Sequence, residues 1–232
     1  MRTEIAKLKK EEIIWLAEHS CKHRHTFLSH FRCFKSYTKP RVIFLDLEVS
    51  PQQSMTYGKF HEASILSVVR PQYIFCFSYK EIDSKKTKVV SLTDFPLYKK
   101  DPHNDRDVVK ALYEVIAGAD YIIAHNIAFD IKMAKARFIK HNLEPLKKLK
   151  TICTLKLARK IASFPSNTLK ELALFLGVGE KMEAGKTLWQ RIYLYQDKKA
   201  WKAMKLYNKV DSEVGTQIFK ILEGWSDKQL IK

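Results

Sequence analysis

The chain has 232 residues, enough for one α/β domain with a sizeable core and a small appendage. Its 42 Lys and Arg against 25 Asp and Glu give a net charge of +17, which favours a polyanionic partner such as nucleic acid over a merely basic protein. With only four cysteines and no long apolar stretch, the sequence predicts a cytoplasmic protein rather than a secreted disulfide scaffold or a membrane protein.

The N-terminal segment, residues 1–40, is predicted to be a helical appendage to a main domain at residues 41–232. Residues Lys9–His19 form a short amphipathic helical pattern, and a dense group of soft ligands follows it. The candidate ligands are Cys21, His25, His30 and Cys33, with His23 in reserve. Four such residues can close a tetrahedral structural zinc site, and the alternative is a basic loop whose histidines face solvent or phosphates.

The first strand of the main domain is predicted at Arg41–Glu48, where apolar, β-rich residues lead to two acids. Asp46 and Glu48 are two residues apart, so both side chains leave the same face of the strand. Like charges this close repel, and such pairs commonly bind Mg²⁺ or Mn²⁺. The alternative is a pair of solvated acids at a strand end.

The next part of the chain is predicted to be a loop followed by an antiparallel meander. Val49–Glu62 has no regular periodicity and indicates a loop beside the acids. Ser64–Val69, Tyr73–Lys80 and Lys88–Leu92 are β-rich runs separated by turn residues. We therefore expect these three strands to follow the first strand in one sheet.

A helix is predicted from Asn104 to the stop at Gly118, followed by a buried strand at Tyr121–Ala124. The strand leads into His125–Asp130 and then into a helix that runs through Phe138. This order puts Asp130 near a helix N-terminus at the carboxyl edge of the sheet, where open α/β sheets carry their sites. The alternative is that Asp130 only caps the helix.

The following segments are predicted from apolar stripes and their caps. Thr151–Ala162 has a helical pattern, and Ser166 and Asn167 precede a second helix that ends before Gly177. Val178–Gln196 is less regular and carries Lys186, which suits a substrate-facing wall or an ordinary surface loop.

The last helix is predicted from about Lys199 to about Leu222. It carries Tyr207 and Asp211, whose spacing of four residues places the phenol and the carboxylate on one face, one turn apart. Considered alone, this is a Tyr–Asp surface pair. Because the chain also carries Asp46, Glu48 and Asp130, the pair becomes a candidate part of an active site.

Three short motifs together resemble the DnaQ-like DEDD 3′-5′ exonucleases, in the subgroup with tyrosine in the third motif (DEDDy). The motifs are Phe44–Glu48, His125–Asp130 and Tyr207–Asp211, and the resemblance covers roughly Arg41 to Trp225. It extends to bacterial and phage exonuclease-like proteins of the YprB type. The implied fold is α/β and ribonuclease H-like, with a central mixed sheet flanked by helices.

The resemblance implies a two-metal-ion hydrolysis of phosphodiester bonds with Mg²⁺ or Mn²⁺. Asp46 would bridge the ions, Glu48 and Asp211 would complete the site that activates water, and Asp130 would help to hold the second ion. Tyr207 would position the attacking water.

The resemblance also implies that Asn126 and Phe129 lie near the terminal nucleotide, with a core position as the alternative for Phe129. Lys186 is a further candidate substrate contact. Single-stranded DNA is the favoured substrate, and any proofreading role would need a polymerase or another replication or repair protein in trans.

Two other functions are open at this point. A RuvC-like endonuclease carries acids in a similar sheet, although it lacks the helix with Tyr207 and Asp211. A non-catalytic nucleic-acid-binding module would use the positive charge and aromatic residues such as Tyr57 and Phe60 for stacking.

Overall fold

The computed structural model describes residues 40–57, 65–146, 149–179, 184–227 and 229–231. The strands in these ranges are β1 (Val42–Val49), β2 (Gln53–Thr56), β3 (Ile65–Arg70), β4 (Ile74–Glu81), β5 (Thr87–Ser91), β6 (Tyr121–Ala124) and β7 (Lys150–Cys153). The helices are α1 (Leu97–Lys100), α2 (Arg106–Ala117), α3 (Ile127–Lys140), α4 (Thr154–Ile161), α5 (Leu169–Leu176), α6 (Thr187–Tyr195) and α7 (Lys198–Gly224). A 3₁₀ turn at Leu92–Asp94 follows β5.

The central sheet is mixed and has the strand order β5-β4-β1-β6-β7. Strand β1 runs antiparallel to β4 and parallel to β6, β4 is antiparallel to β5, and β6 is parallel to β7. The predicted α/β fold with a central mixed sheet flanked by helices is therefore confirmed.

The two faces of β1 belong to two different parts of the core. Ile43, Leu45 and Leu47 are buried in one cluster, which also contains the inner side chains of α2. Phe44 points to the opposite face and joins a second cluster with residues of α4, α5 and α7. Because a strand alternates its side chains, Asp46 and Glu48 leave β1 on the same face as Phe44, which is the face covered by α7.

Several predicted elements form as expected. The strand at Tyr121–Ala124 has the predicted bounds, and the first strand and the long last helix are present with bounds shifted by one or two residues. Helix α5 ends at Gly177, which adopts the left-handed conformation with φ 64° that terminates many helices. Its N-cap is Thr168, whose Oγ accepts from the backbone N–H of Glu171, rather than Ser166 or Asn167.

The predicted meander is partly wrong. Strands β4 and β5 do follow β1 in the central sheet, but β3 pairs with β2 in a separate two-stranded sheet. The predicted loop after Val49 therefore contains a strand, and residues 58–64 lie outside the described part of the chain. Both strands of this hairpin are largely exposed, and neither pairs with a strand of the central sheet.

Two later predictions also need correction. The segment predicted as a helix from Thr151 begins as strand β7 and becomes helical only at Thr154. The segment predicted to be irregular contains helix α6, which buries Ile192 in the core. In both places the partner that decides the structure is distant in sequence, so local periodicity does not reveal it.

The residues of the predicted zinc site, Cys21, His25, His30 and Cys33, lie outside the described residues, as does the predicted N-terminal helix. That site stays a prediction. Among the described residues, no helix combines the length and the apolar character needed to cross a membrane.

Candidate active site

Three carboxylates meet between the central strand and the last helix. Asp46 and Glu48 come from β1 and Asp211 comes from α7, and one oxygen from each lies within 4.8 Å of the other two. Asp46 and Glu48 are half-buried, while Asp211 is only 3% exposed. Three acids confined in this way repel one another strongly unless a cation lies between them.

The donor set fits a hard divalent cation. Mg²⁺ takes oxygen ligands at about 2.0–2.1 Å, so two ligands on opposite sides of the ion are about 4.2 Å apart. The ligand oxygens of Asp46, Glu48 and Asp211 lie within 4.8 Å of one another. The three carboxylates are therefore candidate ligands of one divalent ion.

Asp130 is linked to this group through one peptide unit. It lies in the first turn of α3 and is 4% exposed, and its Oδ1 accepts a hydrogen bond of 3.2 Å from the backbone N–H of Leu47. Leu47 separates Asp46 from Glu48 on β1. The last β1 residue paired with β6 is Phe44, so the carboxylate of Asp130 takes the place of a strand acceptor beyond that point.

Burial dominates the electrostatics of Asp130. It raises the pKa of this carboxyl to about 7, although hydrogen bonds from the backbone N–H groups of Leu47 and of Asp130 itself act in the opposite direction. Asp130 is outside the group formed by the three other acids. The structure therefore brings three carboxylates together as candidate metal ligands. The fourth acid, Asp130, is hydrogen-bonded to the backbone N–H of Leu47, between two of them.

Tyr207 lies on α7 one turn before Asp211, as predicted, and is half-buried. Its ring meets the ring of Trp189 edge to face, with 5.8 Å between the centroids. Trp189 belongs to α6, the helix that the sequence analysis missed. The phenol is thus held by packing from a second helix.

The predicted substrate contacts are all on the surface. Asn126 is exposed in the left-handed conformation (φ 69°) just before α3, and Phe129 in the first turn is 44% exposed. Both are therefore close in sequence and structure to Asp130. Lys186 is exposed at the start of α6, and its ammonium makes no ion pair with a described residue.

One site residue escaped the sequence analysis. Asn208, next to Tyr207, is completely buried, and its Nδ2 donates to Asp46 Oδ2 at 2.6 Å and to the Asp46 carbonyl oxygen at 3.2 Å. The sequence pattern that could have identified Asn208 is its position on the buried stripe of α7. This stripe runs through Met204, Asn208, Asp211 and Gly215. A polar residue on such a stripe needs a partner.

Small polar residues attach α7 to the sheet beside the acids. Ser78, opposite Asp46 in the β1–β4 ladder, donates from its Oγ to the Asn208 carbonyl oxygen at 2.7 Å. Because the Ser78 proton is used there, Ser212 donates to Ser78 Oγ at 2.6 Å. All of these groups are buried, so the distance between helix and strand is closely defined.

Comparison with known families agrees with this architecture. The model of a family described as the RNase_H superfamily matches residues 62–222, more than half of the chain. The matched range contains Asp130, Tyr207 and Asp211 but begins after β1. Asp46 and Glu48 lie outside it in sequence, and the fold places them beside Asp211. A search of curated proteins finds no match.

Proposed function

The chain belongs to the RNase H superfamily, and on that premise we propose that it is a metal-dependent 3′-5′ exonuclease. Membership of this superfamily and the carboxylate cluster fit a nuclease that acts on phosphodiester bonds. The observation that carries the proposal is the approach of Asp46, Glu48 and Asp211 to within 4.8 Å of one another. The exonuclease direction is supported by the tyrosine-containing third motif.

In the proposed mechanism the acids divide between two ion positions. Asp46, Glu48 and Asp211 would hold the first Mg²⁺ or Mn²⁺, and Asp130 would help to hold the second. The chemistry that divalent ions supply in such sites is a lowered pKa for an attacking water and relief of charge at the leaving oxygen. The buried positions of Asp130 and Asp211 keep bulk water away from these carboxylates.

The remaining side chains act on water and substrate. The Tyr207 hydroxyl orients the attacking water, and the packing of its ring against Trp189 limits its rotation. Asn126 and Phe129 contact the terminal nucleotide from the exposed start of α3, with Phe129 stacking on its base. Lys186 contacts a backbone phosphate.

The net charge of +17 supports a nucleic-acid substrate, because it attracts a polyanion from a distance. We propose single-stranded DNA as the preferred substrate. A role in proofreading or repair would require a polymerase or similar protein in trans.

The test uses 5′-labelled single-stranded DNA and RNA and a circular single-stranded DNA, each with Mg²⁺, Mn²⁺ or EDTA. We expect a ladder that shortens from the 3′ end of the linear strand, no cutting of the circle, and no activity in EDTA. Asp46→Asn and Asp211→Asn should abolish the ladder. Asp227→Asn, at an exposed acid, is the matched control and should retain native activity.

The outcomes separate the alternatives. Cutting of the circular strand would show that the protein is an endonuclease and not an exonuclease. Binding of the strand without any cleavage in the presence of metal would favour a non-catalytic module. If nuclease activity survives Asp46→Asn, the carboxylate cluster is not required for the reaction.

A further inference from the structure

Asn208 is a buried amide in direct contact with a carboxylate of the proposed metal site. Its side chain has no exposed surface, and Nδ2 donates to Asp46 Oδ2 at 2.6 Å. The same nitrogen donates to the backbone carbonyl oxygen of Asp46 at 3.2 Å. One amide group therefore holds both the side chain and the main chain of Asp46.

The orientation of this amide follows from electrostatics. A carboxylate accepts hydrogen bonds only, so the amide nitrogen and not the amide oxygen must face Asp46. This leaves Asn208 Oδ1 on the other side, where no described residue donates a hydrogen bond to it. A buried carbonyl oxygen without a donor costs stability.

The main chain of Asn208 is fixed independently. Its carbonyl oxygen accepts from Ser78 Oγ at 2.7 Å, and Ser78 stands opposite Asp46 in the sheet. The amide is therefore pre-positioned on a rigid helix by a contact that does not involve Asp46. Such an arrangement orients a ligand without adding charge to the site.

Helix propensity and the unpaired amide oxygen both favour an apolar residue over asparagine at position 208. Leucine and alanine have higher helix propensities than asparagine, and neither would bury an unpaired oxygen. The contact with Asp46 is the gain that offsets this cost. Residues that reduce stability in this way are concentrated at functional sites.

From these observations we infer that Asn208 is a positioning residue that orients the Asp46 carboxylate for cation binding; the inference rests on the proposed metal site. Hydrogen-bond partners behind metal ligands fix the ligand in its binding orientation, and their removal weakens metal binding by about 10- to 100-fold. The amide nitrogen carries only donors, so it acts on the Asp46 carboxylate and not on the ion.

The experiment measures Mn²⁺ binding by isothermal titration calorimetry, without substrate, for the native protein, Asn208→Ala and Asn208→Leu. Both variants should bind Mn²⁺ about 10- to 100-fold more weakly. Asn208→Leu, which refills the buried volume, should keep a midpoint of chemical denaturation near the native one, whereas Asn208→Ala leaves a cavity and should lower it. Ser212→Ala is the matched control on the same helix, because it loses a contact to Ser78 but none to Asp46.

Ser212→Ala should lower the denaturation midpoint and leave Mn²⁺ affinity within about twofold, the opposite pattern to that of Asn208→Leu. Native Mn²⁺ affinity in both Asn208 variants would overturn the inference while leaving the metal site in place. Failure of both variants to fold would also overturn it, since the amide would then serve the fold. Absence of Mn²⁺ binding by the native protein would overturn the proposed function itself.

Discussion

Gly215 on α7 lies so close to the ring of Phe44 on β1 that a Cβ at position 215 would be 2.1 Å from Phe44 Cζ. Phe44 is on the same face of β1 as Asp46, and Gly215 follows Asp211 by about one helical turn. The absence of a side chain at position 215 therefore allows the helix with Asp211 to approach the strand with Asp46.

We expect Gly215→Ala to lower the free energy of unfolding by about 1–3 kcal/mol, the usual cost of overpacking a core. Denaturant titration measures this change. Gly224→Ala at the end of the same helix is the control: nothing lies within 4 Å of its Cβ position, so stability should stay the same or rise. In a Phe44→Leu background the cost of Gly215→Ala should shrink; an undiminished cost would show that the ring is not the obstacle.

Substitutions of Asp130 should separate its hydrogen bond from its charge. Asp130→Asn retains an oxygen that accepts from the Leu47 N–H, so its stability should stay near native. Asp130→Ala leaves that buried N–H without its acceptor, which should cost about 1–3 kcal/mol in denaturant titration. On the proposed function both variants lose nuclease turnover, because both remove a carboxylate. Equal stabilities of the two variants would contradict the structural role of the Leu47 contact.

Tyr207→Phe should test the hydroxyl alone. The ring contact with Trp189 is preserved, so folding, Mn²⁺ binding and substrate affinity should be unchanged. Turnover should fall by roughly 10- to 1,000-fold, the range for loss of one positioning or proton-handling group. Tyr195→Phe, at a tyrosine that is 73% exposed, is the matched control and should be silent in single-turnover cleavage. A native rate in Tyr207→Phe would reduce Tyr207 to a packing residue and exclude the tyrosine subgroup.

A buried ion pair between Asp105 and Arg137 makes the fold sensitive to loss of either partner. Asp105, which is fully buried before α2, accepts from Arg137 Nε at 2.6 Å and Nη2 at 2.5 Å, and from the Ile74 N–H at 3.0 Å. His141 Nε2 lies 2.7 Å from the same carboxylate. This network joins α2, α3 and β4.

We expect Arg137→Met to cost about 3–5 kcal/mol of unfolding free energy, because it leaves the Asp105 charge buried without its main partner. Arg106→Met is the control: the Arg106–Asp107 pair is exposed, and its loss should cost no more than about 1 kcal/mol. Adding Asp105→Asn to Arg137→Met should recover part of the loss. If the double variant is as unstable as the sum of the single ones, the two residues do not act as a pair.

The sequence alone determined which residues share a face within one element. The alternation of β1 puts Asp46 and Glu48 together, and the helical period of α7 puts Tyr207 one turn from Asp211. These periodicities are local properties of the backbone, so they could be predicted before any partner was known. The same logic would have found Asn208, a polar residue on the buried stripe of α7.

Only the tertiary structure decided how these elements meet. The approach of α7 to β1 depends on Phe44 and Gly215, which are 171 positions apart in the chain. The link from Asp130 to Leu47 exists because β6 stops pairing with β1 at Phe44, and the assignment of β3 to a hairpin with β2 depends on strand pairing. Such contacts are set by long-range packing, in which each partner has several locally acceptable alternatives, and local patterns do not distinguish among them.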